Sequence, residues 1–238
     1  MEPYEMNRAA MTPAAVSDPA IERAFITRVY GWMAIALAIT GLVATATASD
    51  PALMAWIFDT PFALLAIVIV QLIIVVVLSA AVNRLSTGVA TGLFIAYAAL
   101  TGFTFSTLFY VYTAESIGMV FFITAGTFAL VSLYGFTTKT DLTRVGNLAF
   151  MGLIGILLSS LVNLFLRSEA IYWIVTYVGI LVFVGLIASN TQRIKRMAYG
   201  LGDDGELRSK ASVVGALSLY LSFINLFLLL LRIFGNRK

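Results

Sequence analysis

The stretch PFALLAIVIVQLIIVVVLSAAV, residues 61–82, contains no charged residue, and its polar side chains are Gln71 and Ser79 alone. A helix needs about 20 mostly apolar residues to cross the hydrocarbon core of a bilayer, so this run predicts a membrane-spanning helix. Six further runs follow the same rule: residues 29–49, 88–111, 117–136, 145–166, 171–190 and 213–234. The one charge inside any of them is Arg232, close to the end of the last. The breaks between runs carry polar and turn-forming residues, Asp50-Pro51, Asp59-Thr60-Pro61, Asn83-Arg84 and Glu115. The fold class expected is all-α, a polytopic membrane protein built as a seven-transmembrane-helix bundle.

Composition supports that reading and removes much chemistry. Hydrophobic residues fill 61% of the 238 positions and charged residues 11%, whereas about a quarter of a soluble domain is charged. Cysteine and histidine are absent, which excludes thiolate nucleophiles, disulfides, zinc sites and the usual base at neutral pH. The spans carry no carboxylate, so no acid is available inside the bilayer as a proton relay or charged cation ligand. No catalytic residue, no resident cofactor and no enzymatic activity are expected. A net charge of +3 comes from basic residues spread over the loops, which suits membrane topology and gives no reason to expect nucleic acid as a partner.

Residues 1–28 form a polar tail with Pro3, Pro13 and Pro19 and mixed charges, expected to be mobile. A helix start near Ser17-Asp18-Pro19, with Ile21, Phe25 and Val29 at fourfold spacing, leads into the transmembrane domain, residues 29–238. Lys and Arg divide unequally between the two sides: eleven lie in the tail and the second, fourth and sixth loops, and four on the opposite side. The positive-inside rule then puts the N-terminus in the cytoplasm and the C-terminus outside.

Several local patterns have a sharp and a plain reading. Gly88 and Gly92 form a GxxxG that allows close helix approach, or simply open the third span. Tyr30, Trp32, Trp56, Tyr110, Tyr112, Tyr172, Trp173 and Tyr177 lie near span ends, where an interfacial aromatic belt is expected. Gly200, Gly202 and Gly205 spell GxGxxG, but a basic helix end precedes them and Asp203 and Asp204 repel phosphate, so a connector is expected. Arg193, Lys195 and Arg196 serve either as topology determinants or as a contact for anionic lipid head groups. Within the spans Gln71, Asn163, Asn190, Ser222 and Asn225 need polar partners. They join helices by interhelical hydrogen bonds or line a polar path.

The last span reads GALSLYLSFINLFLLLLRIFG over residues 215–235 and closely resembles the C-terminal signature of the transmembrane Bax inhibitor motif family. LTGFTFS at 100–106, SLYGFTTKTDLT at 132–143 and NTQRIK at 190–195 resemble segments of its bacterial, YccA-like branch. The resemblance covers the chain after about residue 20. It implies a seven-helix protein of the bacterial inner membrane, associated with calcium leak across membranes or, alternatively, with modulation of a membrane-bound AAA protease without transport. It also implies that a proton-sensitive pair of aspartates belongs where this chain has Asn190 and Ser222. An amide and a hydroxyl cannot share a titrating proton. Asn190 and Ser222 are therefore expected as neutral latch or weak calcium ligands, with Asn225 and Gln71 as further pore candidates. The lipid bilayer, calcium ions and a membrane protease are the expected partners.

Overall fold

The computed structural model describes residues 19–200 and 205–238. Among the described residues nine α-helices follow in order: α1 Pro19–Ala48, α2 Pro51–Asp59, α3 Ala63–Ala80, α4 Thr87–Phe105, α5 Leu108–Val111, α6 Ala114–Thr137, α7 Thr143–Leu166, α8 Glu169–Gly200 and α9 Gly205–Phe234. A 3₁₀ turn at Val82–Arg84 joins α3 to α4. Among the described residues the only extended pairing is one antiparallel bridge, Tyr112 to Arg237.

Among the described residues seven segments are long and apolar enough to cross a membrane: α1, α3, α4 with α5, α6, α7, α8 and α9. The short α2 lies in the first break. The Asp50 carboxylate accepts the N–H groups of Ala52 and Leu53 at 2.9 and 3.3 Å, and Pro51 starts the helix. This is a favourable start because a carboxylate cap and a proline at the first position both suit free N–H groups at a helix N-terminus. Ser86 and Thr113 cap α4 and α6 in the same way.

Three boundaries differ from the sequence expectation. Helix α1 begins at Pro19, at the expected Ser17-Asp18-Pro19 start, but Phe25 and Val29 are buried in the core, so the bundle takes in part of the segment expected as tail; residues 1–18 lie outside the described residues. Helix α8 runs to Gly200 and α9 starts at Gly205. Arg193, Lys195, Arg196, Arg208 and Lys210 are therefore helical, because neither glycine nor proline occurs in residues 191–199 or 206–214. Within the connector, Gly202, Asp203 and Asp204 lie outside the described residues, whereas Glu206 pairs with Lys210 at 2.8 Å one turn along α9.

The helices are not equivalent. In α9, 72% of the most apolar 18-residue stretch is buried, against 11% in α7 and 17% in α3. Helix α9 is the axis, contacted by α1, α4, α6 and α8, while α7 packs on α8 and α3 on α4 at the outside. Small residues, Ser212, Gly215, Ala216 and Ser222, give α9 a narrow waist. Its aromatic side chains fill the space around that waist. Tyr220 meets Phe94 and Tyr97 edge-on at 5.9 and 5.8 Å, and Phe223 meets Phe121 and Phe128 at 5.4 and 5.5 Å. Each such pair contributes about 0.5–1.5 kcal/mol beyond its burial.

Close helix approach occurs at other glycines than the GxxxG. A Cβ on Gly88 or Gly92 would touch nothing, since both face away from the bundle. On Gly102 it would meet the Thr40 carbonyl oxygen at 2.5 Å, and on Gly135 the backbone of Ala188. These two positions let α4 approach α1 and α6 approach α8. The aromatic belt also divides: Trp56, Tyr110 and Tyr177 are exposed, but Tyr112 is buried under the C-terminal residues. Tyr30 turns inward, its hydroxyl 3.2 Å from Thr191 Oγ1 of α8.

Candidate functional site

Asn190 on α8 and Ser222 on α9 face each other, with Asn190 Nδ2 3.5 Å from Ser222 Oγ. The Ser222 hydroxyl donates to the Ser218 carbonyl at 2.9 Å, which leaves its lone pairs for Asn190. At 3.5 Å that contact is at the outer limit of a hydrogen bond. Ser222 is 3% exposed, so the pair forms a neutral, weakly closed polar joint inside an apolar seam.

The other two candidates are not drawn into this joint. Asn225 lies one turn further along α9, and its amide donates to the Leu221 carbonyl of its own helix at 2.8 Å. Gln71 on α3 donates to Thr104 Oγ1 on α4 at 3.0 Å, joining an outer helix to its neighbour. Asn163 bonds locally: its Oδ1 accepts the Ser168 N–H at 2.8 Å and closes the left-handed turn at Arg167 that ends α7.

The segment around Asn190 engages every neighbour of α8. Thr191 is 3.2 Å from the Tyr30 hydroxyl of α1 and 3.5 Å from Ser132 Oγ of α6. Gln192 accepts the Leu142 N–H and donates to the Thr140 carbonyl, both at 2.8 Å, holding the α6–α7 connection against α8. Lys195 donates to the Phe136 carbonyl at 3.0 Å and lies 4.6 Å from that residue's ring centre. Arg196 bonds Asp141, Thr143 and Gln192. Helical rotation of about 100° per residue explains this: five polar side chains spread over residues 190–196 must point to several partners. The Thr143 hydroxyl, the Arg196 guanidinium and the Thr143 N–H together hold the Asp141 carboxyl well below the usual carboxylate range.

A second buried polar contact escaped the sequence reading. Tyr220 OH is 2.7 Å from Thr40 Oγ1, which also lies 2.9 Å from the carbonyls of Ala36 and Ala98. Thr40 has one hydroxyl proton for two carbonyls, so Tyr220 donates to Thr40. The sequence signal was the SLYLS repeat of small and aromatic residues, which marks a helix closely surrounded by others.

Among the described residues no cluster of three or more acidic, cysteine or histidine side chains could hold a metal. Calcium prefers six to eight oxygen ligands, carboxylates above all. The Asn190–Ser222 joint has an amide and a hydroxyl oxygen besides backbone carbonyls. That donor set does not make a tight metal site.

The family model described as inhibitor of apoptosis-promoting Bax1 matches residues 22–238. The inner membrane protein YbhL of Escherichia coli strain K12 is 50% identical over 235 residues, covering 98% of this chain and all of that protein. An uncharacterized protein of Borreliella burgdorferi is 44% identical over 218 residues, 92% of this chain and 94% of its own. Another, from Rickettsia prowazekii, is 43% identical over 216 residues, 91% of each.

Proposed function

We infer the function from one premise: this chain belongs to the family of inhibitors of apoptosis-promoting Bax1, and it is a multi-pass membrane protein. Our proposal is that it forms a cation leak path, with calcium the ion, along α9 in a bacterial inner membrane. Asn190, Ser222 and Asn225 lie along that path. The inner-membrane placement follows the E. coli relative. The excess of Lys and Arg on the N-terminal side orients the N-terminus to the cytoplasm and the C-terminus outward.

The observation that supports this reading is the contact of Asn190 with Ser222 across the α8–α9 seam. Helix α9 is enclosed here, with Leu219, Tyr220, Phe223 and Leu226 buried around the joint. This arrangement is closed, and conduction requires α8 to part from α9. The polar interaction that opposes parting at the joint is one long neutral contact, whose contribution is on the order of 1 kcal/mol or less. No carboxylate pair holds the seam, so its opening responds to membrane or partner forces and not to protons.

Calcium uptake into proteoliposomes loaded with an indicator tests the proposal. Uptake above that of empty vesicles is expected, and uptake equal to empty vesicles at every pH would sink the proposal.

A further inference from the structure

Near the end of the bundle that carries the α6–α7 connection, α7 and α8 leave a cleft of about 230 Å³. Its walls differ in chemistry. Phe150, 57% exposed, and Leu186 form an apolar lip on the side where α7 faces lipid. Thr143, Asn147, Asn190, Arg193 and Arg196 line the rest. Arg196 is fixed by Asp141 at 2.6 Å and by Thr143 and Gln192. Arg193 is exposed and bonds to none of the described residues.

We propose that this cleft seats the head group of an acidic phospholipid, its phosphate between Arg193 and Arg196 and its acyl chains along α7. The proposal goes beyond the leak reading and does not depend on conduction. A guanidinium presents paired N–H groups that match phosphate oxygens. One guanidinium held rigid and one free to turn suit a ligand anchored by its tails. The Asn147 amide adds a donor from the α7 side. An arginine near a helix end keeps its stem in the apolar zone while its charge reaches the head-group layer. Charge decides for an acidic lipid over a zwitterionic one: residues 139–144 and 190–196 carry Lys139, Arg144, Arg193, Lys195 and Arg196 against Asp141 alone. A zwitterionic head group would bring its own ammonium into that field. Asn190 lines the cleft and also faces Ser222, so an occupant lies one side chain from the α8–α9 seam.

The test uses the purified full chain in neutral detergent, with thermal stability read during titration. The ligands are short-chain phosphatidylglycerol, short-chain phosphatidylcholine and inorganic phosphate. Saturable stabilisation by phosphatidylglycerol is expected, with phosphatidylcholine weaker and phosphate inert at the same concentration. Arg193→Gln should weaken the phosphatidylglycerol affinity about fivefold, the effect of one cation at an anionic lipid surface. Arg84→Gln removes an equal charge in the α3–α4 turn, on the same side and away from the cleft, and should leave the affinity unchanged. Arg193→Gln breaks no bond, so its stability without lipid should match the unsubstituted chain. The proposal is overturned if Arg193→Gln binds as the unsubstituted chain does, if Arg84→Gln loses as much, or if phosphate alone stabilises equally.

Discussion

Replacing Asn190 and Ser222 together by aspartate would put two carboxylates where a neutral amide and hydroxyl now lie 3.5 Å apart. At about that separation, with an effective dielectric of about 20, two unit charges repel by about 4 kcal/mol. That energy is about a thousandfold in affinity for a proton. The pair should therefore keep one shared proton toward neutral pH and lose it as the pH rises. With the proton, the two acids hold α8 against α9; without it, they push the helices apart. The sign follows: proton binding strengthens the closed, folded state, so thermal stability of the double variant should fall as the pH rises from about 5 to about 7, between the ordinary carboxylate range and the raised pKa, and level off above it. Calcium uptake into proteoliposomes should rise over the same interval. The unsubstituted chain has neither His nor Cys and so no side chain that ordinarily titrates there. Its uptake should stay nearly flat. Asn190→Asp alone lacks the like charge and should give a much smaller response. A pH response in the unsubstituted chain as steep as in the double variant, or a flat double variant, refutes the reasoning.

Gln192→Leu keeps the side-chain volume but leaves the Leu142 N–H and Thr140 carbonyl without their partner; it should destabilise the protein by about 1–3 kcal/mol, read as a lower melting temperature in detergent. Gly135→Ala drives a methyl group into the Ala188 backbone, which cannot yield cheaply, and should lower the melting temperature. Gly92→Ala meets no neighbour and should change stability by no more than the helix preference for alanine, about 1 kcal/mol and favourable. Asp141→Asn should be less stable than the unsubstituted chain at neutral pH. Because contacts in the folded state lower the Asp141 pKa, that stabilisation is full above the ordinary carboxylate range and fades as pH falls below about 4. Melting measured from neutral to acid pH should show the two curves converging.

The spans and their breaks were legible because lipid accepts only long apolar helices with their backbone groups satisfied. The start of α2 was written in Asp50-Pro51, although its nine residues were read as a break. Gly102 and Gly135 were not legible as close contacts, because a glycine shows its role only once a neighbour is known. The GxxxG at Gly88 and Gly92 left two readings open for the same reason, and the structure fits the plain one, glycines that open the third span. Gln192 and Thr191 were hidden as ordinary polar residues just beyond a span, since ending the sixth span at 190 put them in a loop. Their partners lie some 50 to 160 positions away in the chain.

What the sequence determined by itself is the class of protein: seven membrane helices, their order, and a core with neither acid nor histidine. The family resemblance of NTQRIK and of the last span singled out Asn190 and Ser222. Only the tertiary structure decided that α9 is the axis, that these two side chains meet across one seam, and that Gln71 and Asn225 bond elsewhere. In water, a helix's apolar stripe tells which face is inside. In a bilayer, lipid and core are equally apolar, so that periodicity fades and packing of small and aromatic side chains chooses the centre.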